Sequence, residues 1–343
     1  MTRKDHPHDL LAPWALRALP PEEDRLVPHH MADCEQCAAE AERLRATVRM
    51  LDGAAPTERA DTRLAPPEAL LARARARRAP VPPTAPHAEP YAAAVSALEA
   101  LLGELDGPAA PWGTPVIHDW SVQDTVAHLI AADEHLALHL GLPANAPPTT
   151  APAEGTGWRT AWASRTQRVI AHERARAPGD TVATWRAQAN ALLTAPEAHD
   201  PERAARPALL VGARLPVADH FLVRAFETWI HADDIGRALE RPVPPPPPAH
   251  LWRLVRLGIR ILGLALGPQA LPVALTVTDA TRTTEWILGS EDEPVHAELA
   301  LDPLDFCYLI GGRTAPETVS RTTTGDEGTA RTFLDRASRL AWL

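Results

Sequence analysis

The sequence predicts a mainly helical protein with several domains. Its 343 residues suffice for two or three domains of roughly 100–200 residues each. Hydrophobic residues make up 45% of the chain and charged residues 23%, which is ordinary for a globular protein and excludes a wholly disordered chain. Proline occurs 36 times, and its clusters separate segments that differ in composition.

Charge and hydropathy exclude two broad classes of protein. Lys and Arg number 34 against 44 Asp and Glu, and a net charge of −10 argues against direct binding to nucleic acid. The longest apolar stretch, residues 251–266, is interrupted by Arg253, Arg256 and Arg260, so no membrane span is expected. The first residues are charged and carry no signal-peptide pattern, which predicts a cytoplasmic location.

The chain is expected to divide into five segments. The last segment combines an apolar helix over 251–264 with alternating strand patterns over 273–278 and 283–288. The run Pro244–Pro248 can only be an extended spacer or a restrained turn. The predicted segments are a small helical domain at 1–80, a Pro-rich linker at 81–90, long amphipathic helices at 91–241, a polyproline spacer at 242–248 and an α/β domain at 249–343.

The first segment contains a candidate zinc site. His30 and Cys34 are four residues apart and Cys37 follows three later, so a helix would place all three on one face. A closed tetrahedral zinc site needs a fourth ligand, which His6 or His8 could supply from upstream. The alternative interpretation is two free buried thiols beside an exposed histidine.

This pattern resembles the zinc-containing anti-sigma domain over about residues 5–78. The resemblance is carried by His-x₃-Cys-x₂-Cys after a Leu-Leu-x-x-Trp-Ala-Leu helix and a Pro-Glu-Glu turn. It implies a structural Zn²⁺ and binding to an extracytoplasmic-function sigma factor. Amphipathic helices around 38–51 and 68–78 would then contact the sigma factor, and redox switching would require Cys34 to pair with Cys37.

A second candidate metal site lies in the third segment. Ser121 is a good helix N-cap with Asp124 at the capping-box position, and His128 follows one turn later. Glu227 and His231 are four residues apart and share a helix face. Three ligands leave an open position, which is typical of catalytic metal sites. The alternatives are a solvated Glu/His face and an ordinary core histidine.

The second pattern resembles the mycothiol-dependent maleylpyruvate isomerase family. It is carried by Trp-Ser-Val-x-Asp-x-x-Ala-His-Leu and Glu-x₃-His-Ala-x-Asp-Ile, and it implies a DinB-like four-helix bundle followed by a small α/β domain. By this resemblance His128, Glu227 and His231 hold a divalent metal that binds the thiol of mycothiol. Zn²⁺ is favoured, although nitrogen and oxygen ligands also admit nickel, iron or manganese.

The same resemblance suggests roles for two arginines. Arg313 follows a helix that ends in two glycines, and the family uses a C-terminal arginine near the metal, so Arg313 is a catalytic candidate. The alternative is an ordinary surface arginine. Arg224, one turn before Glu227, either lines the pocket for a cofactor or pairs outward with another charge.

Two hypotheses for the whole chain follow. The first is an anti-sigma transcription regulator, whose zinc domain sequesters a sigma factor while the isomerase-like region senses a metal or thiol. The fusion favours it, because a sigma-binding module has little use on a housekeeping enzyme. The alternative is a mycothiol-dependent metalloenzyme, an isomerase or S-transferase, with an appended zinc docking domain. The sequence leaves open whether the chain is an enzyme.

Overall fold

The computed structural model describes residues 6–16, 18–51, 83–105, 110–144, 147–148 and 157–340. The chain divides into two compact units, Met1–Ala74 and Arg75–Leu343. Helices predominate among the described residues of both units, so the predicted fold class, mainly helical and multidomain, is confirmed.

The first unit contains three described helices. They are α1 (His8–Ala15), α2 (Pro21–Asp33) and α3 (Glu35–Leu51). Proline at the first position and acidic residues in the first turn start α2, because both suit the unpaired amides of a helix N-terminus. Leu11, Trp14 and Val27 pack together as the apolar core of this unit. The helix predicted over 68–78 lies outside the described residues.

The second unit begins with a helical bundle. Its helices are α4 (Glu89–Leu102), α5 (Val122–His139), α6 (Trp158–Arg174), α7 (Pro178–Thr194), α8 (Pro201–Ala204) and α9 (Val217–Ala238), with a 3₁₀ turn at Pro196–Ala198. Helices α4, α5, α7 and α9 pack around a common core, and α6 packs on α5. Leu129, Trp185 and Phe221 are fully buried in that core.

Two short hairpins lie at the ends of the bundle helices. They are β1 (Pro115–Ile117) with β2 (Trp120–Ser121), and β3 (Pro207–Leu210) with β4 (Ala213–Pro216). The β1–β2 turn passes through His118 and Asp119 at φ values of 52° and 62°. This left-handed region is costly for residues with a Cβ atom, so the turn holds two non-glycine residues in a strained conformation next to Trp120.

The remaining elements form the predicted α/β region. They are α10 (Pro248–Leu266), β5 (Val273–Thr278), β6 (Thr283–Leu288), β7 (Ala297–Leu301), α11 (Pro303–Ile310), β8 (Thr322–Gly325) and α12 (Glu327–Ser338). The strands form one sheet in the order β6–β5–β7–β8, in which β5 and β7 are parallel and the other pairs antiparallel. Both strands predicted from alternation, β5 and β6, have the expected bounds.

The helical bundle and the α/β region, which the sequence predicts as separate domains, are packed together in the second unit. Buried residues of the bundle and of the α/β region form one continuous cluster, in which α10 packs on α9 and on α11. The predicted linker 81–90 is partly ordered into this unit, because the Ala85 amide donates to the Ala198 carbonyl at 2.8 Å and α4 already begins at Glu89. Among the described helices, none is long and apolar enough to cross a membrane.

Candidate metal centres

Three potential metal ligands lie together in the bundle. His128 comes from α5, and Glu227 and His231 come from α9. One ligand atom of each lies within 4.8 Å of the others, and the three residues are at most 2% exposed. The three residues predicted from the sequence therefore form one buried cluster. The alternative of a solvated helix face is wrong, because none of the three is exposed.

Local interactions place His128 within its helix. The Asp124 amide donates to Ser121 Oγ at 3.2 Å, and the Ser121 amide donates to Asp124 Oδ2 at 2.9 Å, which completes the predicted capping box. Arg174 on α6 donates to both oxygens of the same carboxylate, from Nε at 2.7 Å and from Nη2 at 2.9 Å. The capping box therefore fixes the first turn of α5, and Arg174 joins this turn to α6. His128, one turn later, contacts Glu227 on α9.

The cluster contains two buried nitrogen atoms that no described residue satisfies. His128 Nε2 lies 2.8 Å from Glu227 Oε1, whereas His128 Nδ1 and His231 Nε2 have no hydrogen-bond partner among the described residues. A buried polar atom without a partner costs about 1–3 kcal/mol, so such atoms require an explanation. Two imidazoles and a carboxylate within this distance fit a divalent cation such as Zn²⁺.

The ionisation states of the cluster also suit a cation. Burial alone would raise the pKa of Glu227, but Arg224 and the hydrogen bond from His128 outweigh it and lower that pKa to about 2. Burial lowers the pKa of His231 to about 4. At neutral pH the cluster thus offers an ionised carboxylate and an unprotonated imidazole, which are the forms that bind metals.

Arg224 lies inside the cluster. Its guanidinium forms an ion pair with Glu227 Oε2, and the residue is only 4% exposed. Of the two alternatives that the sequence left open for Arg224, an outward salt bridge is wrong. The arginine therefore compensates the charge of the buried carboxylate.

A further pair of residues orients His231. His231 Nδ1 lies 3.1 Å from Asp234 Oδ2, and Arg313 Nε donates to Asp234 Oδ1 at 3.1 Å. Burial favours the neutral carboxyl, but the hydrogen bonds from His231 and Arg313 hold the pKa of Asp234 below its usual value. Such a carboxylate fixes the ring so that the other nitrogen, Nε2, faces a ligand.

The predicted Arg313 therefore lies beside the cluster, with its charge paired to Asp234. Sequence reasoning assigned Asp234 no role, although its His-x-x-Asp spacing places it one turn after His231 on the same helix.

Indole rings border the cluster on two sides. The Trp120 ring lies 4.7 Å from the His128 ring, and the Trp162 ring lies 6.1 Å from it at 88°. Both tryptophans are half-buried, whereas the candidate ligands are fully buried. The rings therefore form partly accessible walls next to the ligands.

The bundle also holds a buried acid that sequence reasoning missed. Asp133 on α5 is 1% exposed and accepts a hydrogen bond from the Tyr91 hydroxyl at 2.7 Å. Burial raises the pKa of Asp133 to about 7, because the lowering influence of Arg224 is smaller than the cost of desolvation. The signal in the sequence is a pair of acidic residues, Asp133 and Glu134, directly after the apolar run 129–132 of the same helix.

The first unit contains a second cluster. The ligand atoms of His6, His30, Cys34 and Cys37 all lie within 4.8 Å of one another. His6 Nδ1 is 3.4 Å from the Sγ atoms of both cysteines. The structure thus places His6 in the cluster, while the side chain of the alternative, His8, lies outside its description. A set of two thiols and two imidazoles matches a closed zinc site.

The local geometry of this cluster differs from the prediction. His30, Cys34 and Cys37 do not lie on one helix, because α2 ends at Asp33 and Cys34 is extended at φ −133° and ψ 98°. Cys37 belongs to the first turn of α3. The break turns the chain between two helices, so the ligands converge through a bend and not through helical spacing.

Comparisons with known proteins found matches for the second unit. Residues 91–236 match the family described as the mycothiol maleylpyruvate isomerase N-terminal domain, and this range includes His128, Glu227 and His231. The match begins at residue 91, so it gives no support to the resemblance of the first 80 residues to an anti-sigma domain. A comparison with curated proteins gave no match.

Two solved structures are similar to the chain. They are crystal structures of the mycothiol-dependent maleylpyruvate isomerase and of its histidine-to-alanine variant. Each similarity covers 70% of this chain and 92% of the other, at a TM-score of 0.48 and sequence identities of 15% and 14%, respectively.

Proposed function

We propose that the second unit is a metal-dependent enzyme of the mycothiol-dependent maleylpyruvate isomerase type. His128, Glu227 and His231 would hold the divalent cation, with Zn²⁺ as the first choice. The observation that carries this proposal is the convergence of three buried ligand atoms, two of them on histidines that each leave one ring nitrogen without a partner in the part of the chain that the structure describes. The family match over residues 91–236 supports the same reaction type.

The residues around the ligands would keep the site ready for a thiol substrate. Arg224 keeps Glu227 ionised, and Asp234 directs the Nε2 lone pair of His231 toward the centre. Arg313 acts through Asp234, so we assign it a positioning role. When bound, a divalent cation lowers the pKa of a coordinated thiol and so makes the thiolate of mycothiol available at neutral pH.

Elemental analysis and a turnover assay test this proposal together. We expect the wild type to retain one metal in the second unit and to isomerise maleylpyruvate only when mycothiol is present. The double variant His128→Ala/His231→Ala should lose that metal and the turnover. His139→Ala, on an exposed position of the same helix, should lose neither. Full metal content in the double variant, or turnover without mycothiol, would contradict the proposal.

We propose a second function for the first unit, carried by its own ligand cluster. His6, His30, Cys34 and Cys37 would hold a structural Zn²⁺, and the folded unit would bind an extracytoplasmic-function sigma factor. The resemblance to anti-sigma domains supports this proposal together with the convergence of the four ligand atoms. A protein with both functions would act in the cytoplasm as a regulator that senses a thiol.

Co-purification tests the second function. The full chain would be co-expressed with each extracytoplasmic-function sigma factor of the source organism, and one of them should co-elute with it. Cys34→Ala/Cys37→Ala should abolish co-elution, while His128→Ala/His231→Ala should preserve it. If mycothiol changes the affinity for the sigma factor, the two units are coupled; an unchanged affinity would refute a sensing role.

A further inference from the structure

One histidine near the candidate centre has no assigned role. His135 lies on α5 seven residues after His128, so two helical turns place both rings on the same face. His135 is half-buried, and its Nε2 atom is buried without a hydrogen-bond partner among the described residues. Because an unsatisfied buried nitrogen destabilises the folded protein, this position is expected to serve a bound molecule.

The ring of His135 adjoins the wall of the centre. Its centroid lies 5.1 Å from the Trp162 ring at an angle of 31°, and the same indole lies 6.1 Å from His128. Trp162 thus connects the candidate ligand cluster with His135. Both Trp162 and His135 are half-buried, so part of each side chain is accessible to solvent close to the centre.

Charges around His135 are already compensated. Arg165 donates to both oxygens of Glu134 at 2.7 Å, and both residues are buried. Arg224 is paired with Glu227 on the facing helix. Burial lowers the pKa of His135, so its imidazole is neutral at neutral pH and offers hydrogen bonds without charge.

We propose that His135 and Trp162 form the subsite for the second substrate, the acceptor that reacts with the thiol. His135 hydrogen-bonds to a carbonyl or carboxylate oxygen of the acceptor, and the Trp162 indole packs against its planar part. An aromatic wall beside a neutral hydrogen-bonding group suits a planar unsaturated acid or ketone. Compounds of this class are the electrophiles that a thiolate attacks. This inference rests on the proposed function of the second unit.

Binding of maleate, a planar unsaturated dicarboxylate, tests the subsite without requiring turnover. Calorimetric titrations would use the full chain, both zinc-loaded with saturating mycothiol and zinc-free. We expect His135→Ala to weaken maleate binding at least tenfold, with zinc content and mycothiol affinity unchanged. His135→Gln keeps a hydrogen-bonding group and should restore part of the affinity, and His139→Ala should match the wild type.

Each outcome decides for or against the subsite. Equal maleate affinity in His135→Ala and wild type overturns it, as does a wild type that binds no maleate in either state. Loss of zinc or mycothiol in His135→Ala overturns it too, since the residue would then support the metal centre. If the wild type fails to bind mycothiol but zinc-free protein binds maleate through His135, the proposed function fails, while His135 and Trp162 still form a binding site for a planar unsaturated acid.

Discussion

Replacing Asp133 by asparagine should change how the stability of the second unit depends on pH. Asp133 on α5 is buried, and Tyr91 on α4 donates a hydrogen bond to it. Asparagine keeps an acceptor oxygen for Tyr91 and nearly the same shape, but it cannot ionise. The substitution therefore isolates the proton that the buried carboxyl holds.

The sign and size of the effect follow from the pKa of Asp133. Its ordinary value of 3.8 applies to the unfolded chain, and burial raises it to about 7 in the folded protein. Between these values the folded state binds the proton and the unfolded state does not, so stability is lost as the pH rises. Each pH unit costs about 1.4 kcal/mol, so the wild type loses about 3 kcal/mol between pH 5 and pH 8 through this group.

Urea unfolding of wild type and Asp133→Asn at pH 5 and pH 8, in the presence of a chelator, measures this difference. Other groups titrate equally in both proteins and cancel, so the variant should gain about 3 kcal/mol relative to the wild type on going to pH 8. Asp292→Asn, at an exposed loop position, should show no such gain. A difference between Asp133→Asn and wild type that is the same at both pH values would refute the buried-proton argument.

Three further predictions concern the two ligand clusters. In chelator-treated protein, Arg224→Met should lower the free energy of unfolding by about 3–5 kcal/mol, because it leaves the Glu227 charge buried without its ion pair. The control Arg203→Met removes an exposed ion pair and should lower the free energy of unfolding by less than about 1 kcal/mol. Equal losses of stability in the two variants, measured by calorimetry, would contradict this prediction. Asp234→Asn should weaken zinc binding at the second unit about 10–100-fold in a competition titration, and an unchanged affinity would show that orientation of His231 is unimportant. Cys37→Ser should remove one zinc per chain and unfold the first unit, while the second unit stays folded. Proteolysis within residues 1–51 measures the unfolding. Retention of that zinc in the variant would exclude Cys37 as a ligand.

Features that depend on neighbouring residues could be predicted from the sequence. The capping box of Ser121 and Asp124 fixes the start of α5, and the four-residue spacing of Glu227 and His231 places both on one face of α9. Alternation also gave the bounds of β5 and β6. These interactions act within one turn or one strand, so spacing alone specifies them. That the residues bind metal stays a prediction for elemental analysis to test.

The bend at Cys34 could not be predicted from the spacing of neighbouring residues. Helical spacing placed His30, Cys34 and Cys37 on one face, yet the extended conformation of Cys34 breaks the helix and the ligands still converge. A break of one residue has no strong signature here, because neither proline nor glycine stands at that point of the sequence. The choice of His6 as the upstream partner likewise depends on how α1 packs against α3.

The sequence by itself determined the mainly helical fold, the start of α5 at its cap and six of the seven residues that the two clusters bring together, the upstream histidine being the exception. Only the tertiary structure decided which groups compensate and orient them. Arg313 reaches Asp234 across 79 residues, and Tyr91 reaches Asp133 across 42, because distant segments pack into one core. Such contacts depend on the depth and angle at which helices meet, which side-chain spacing along one helix does not specify. The same packing gives Asp133 its buried environment and leaves His135 beside Trp162 without a protein partner for Nε2 among the described residues.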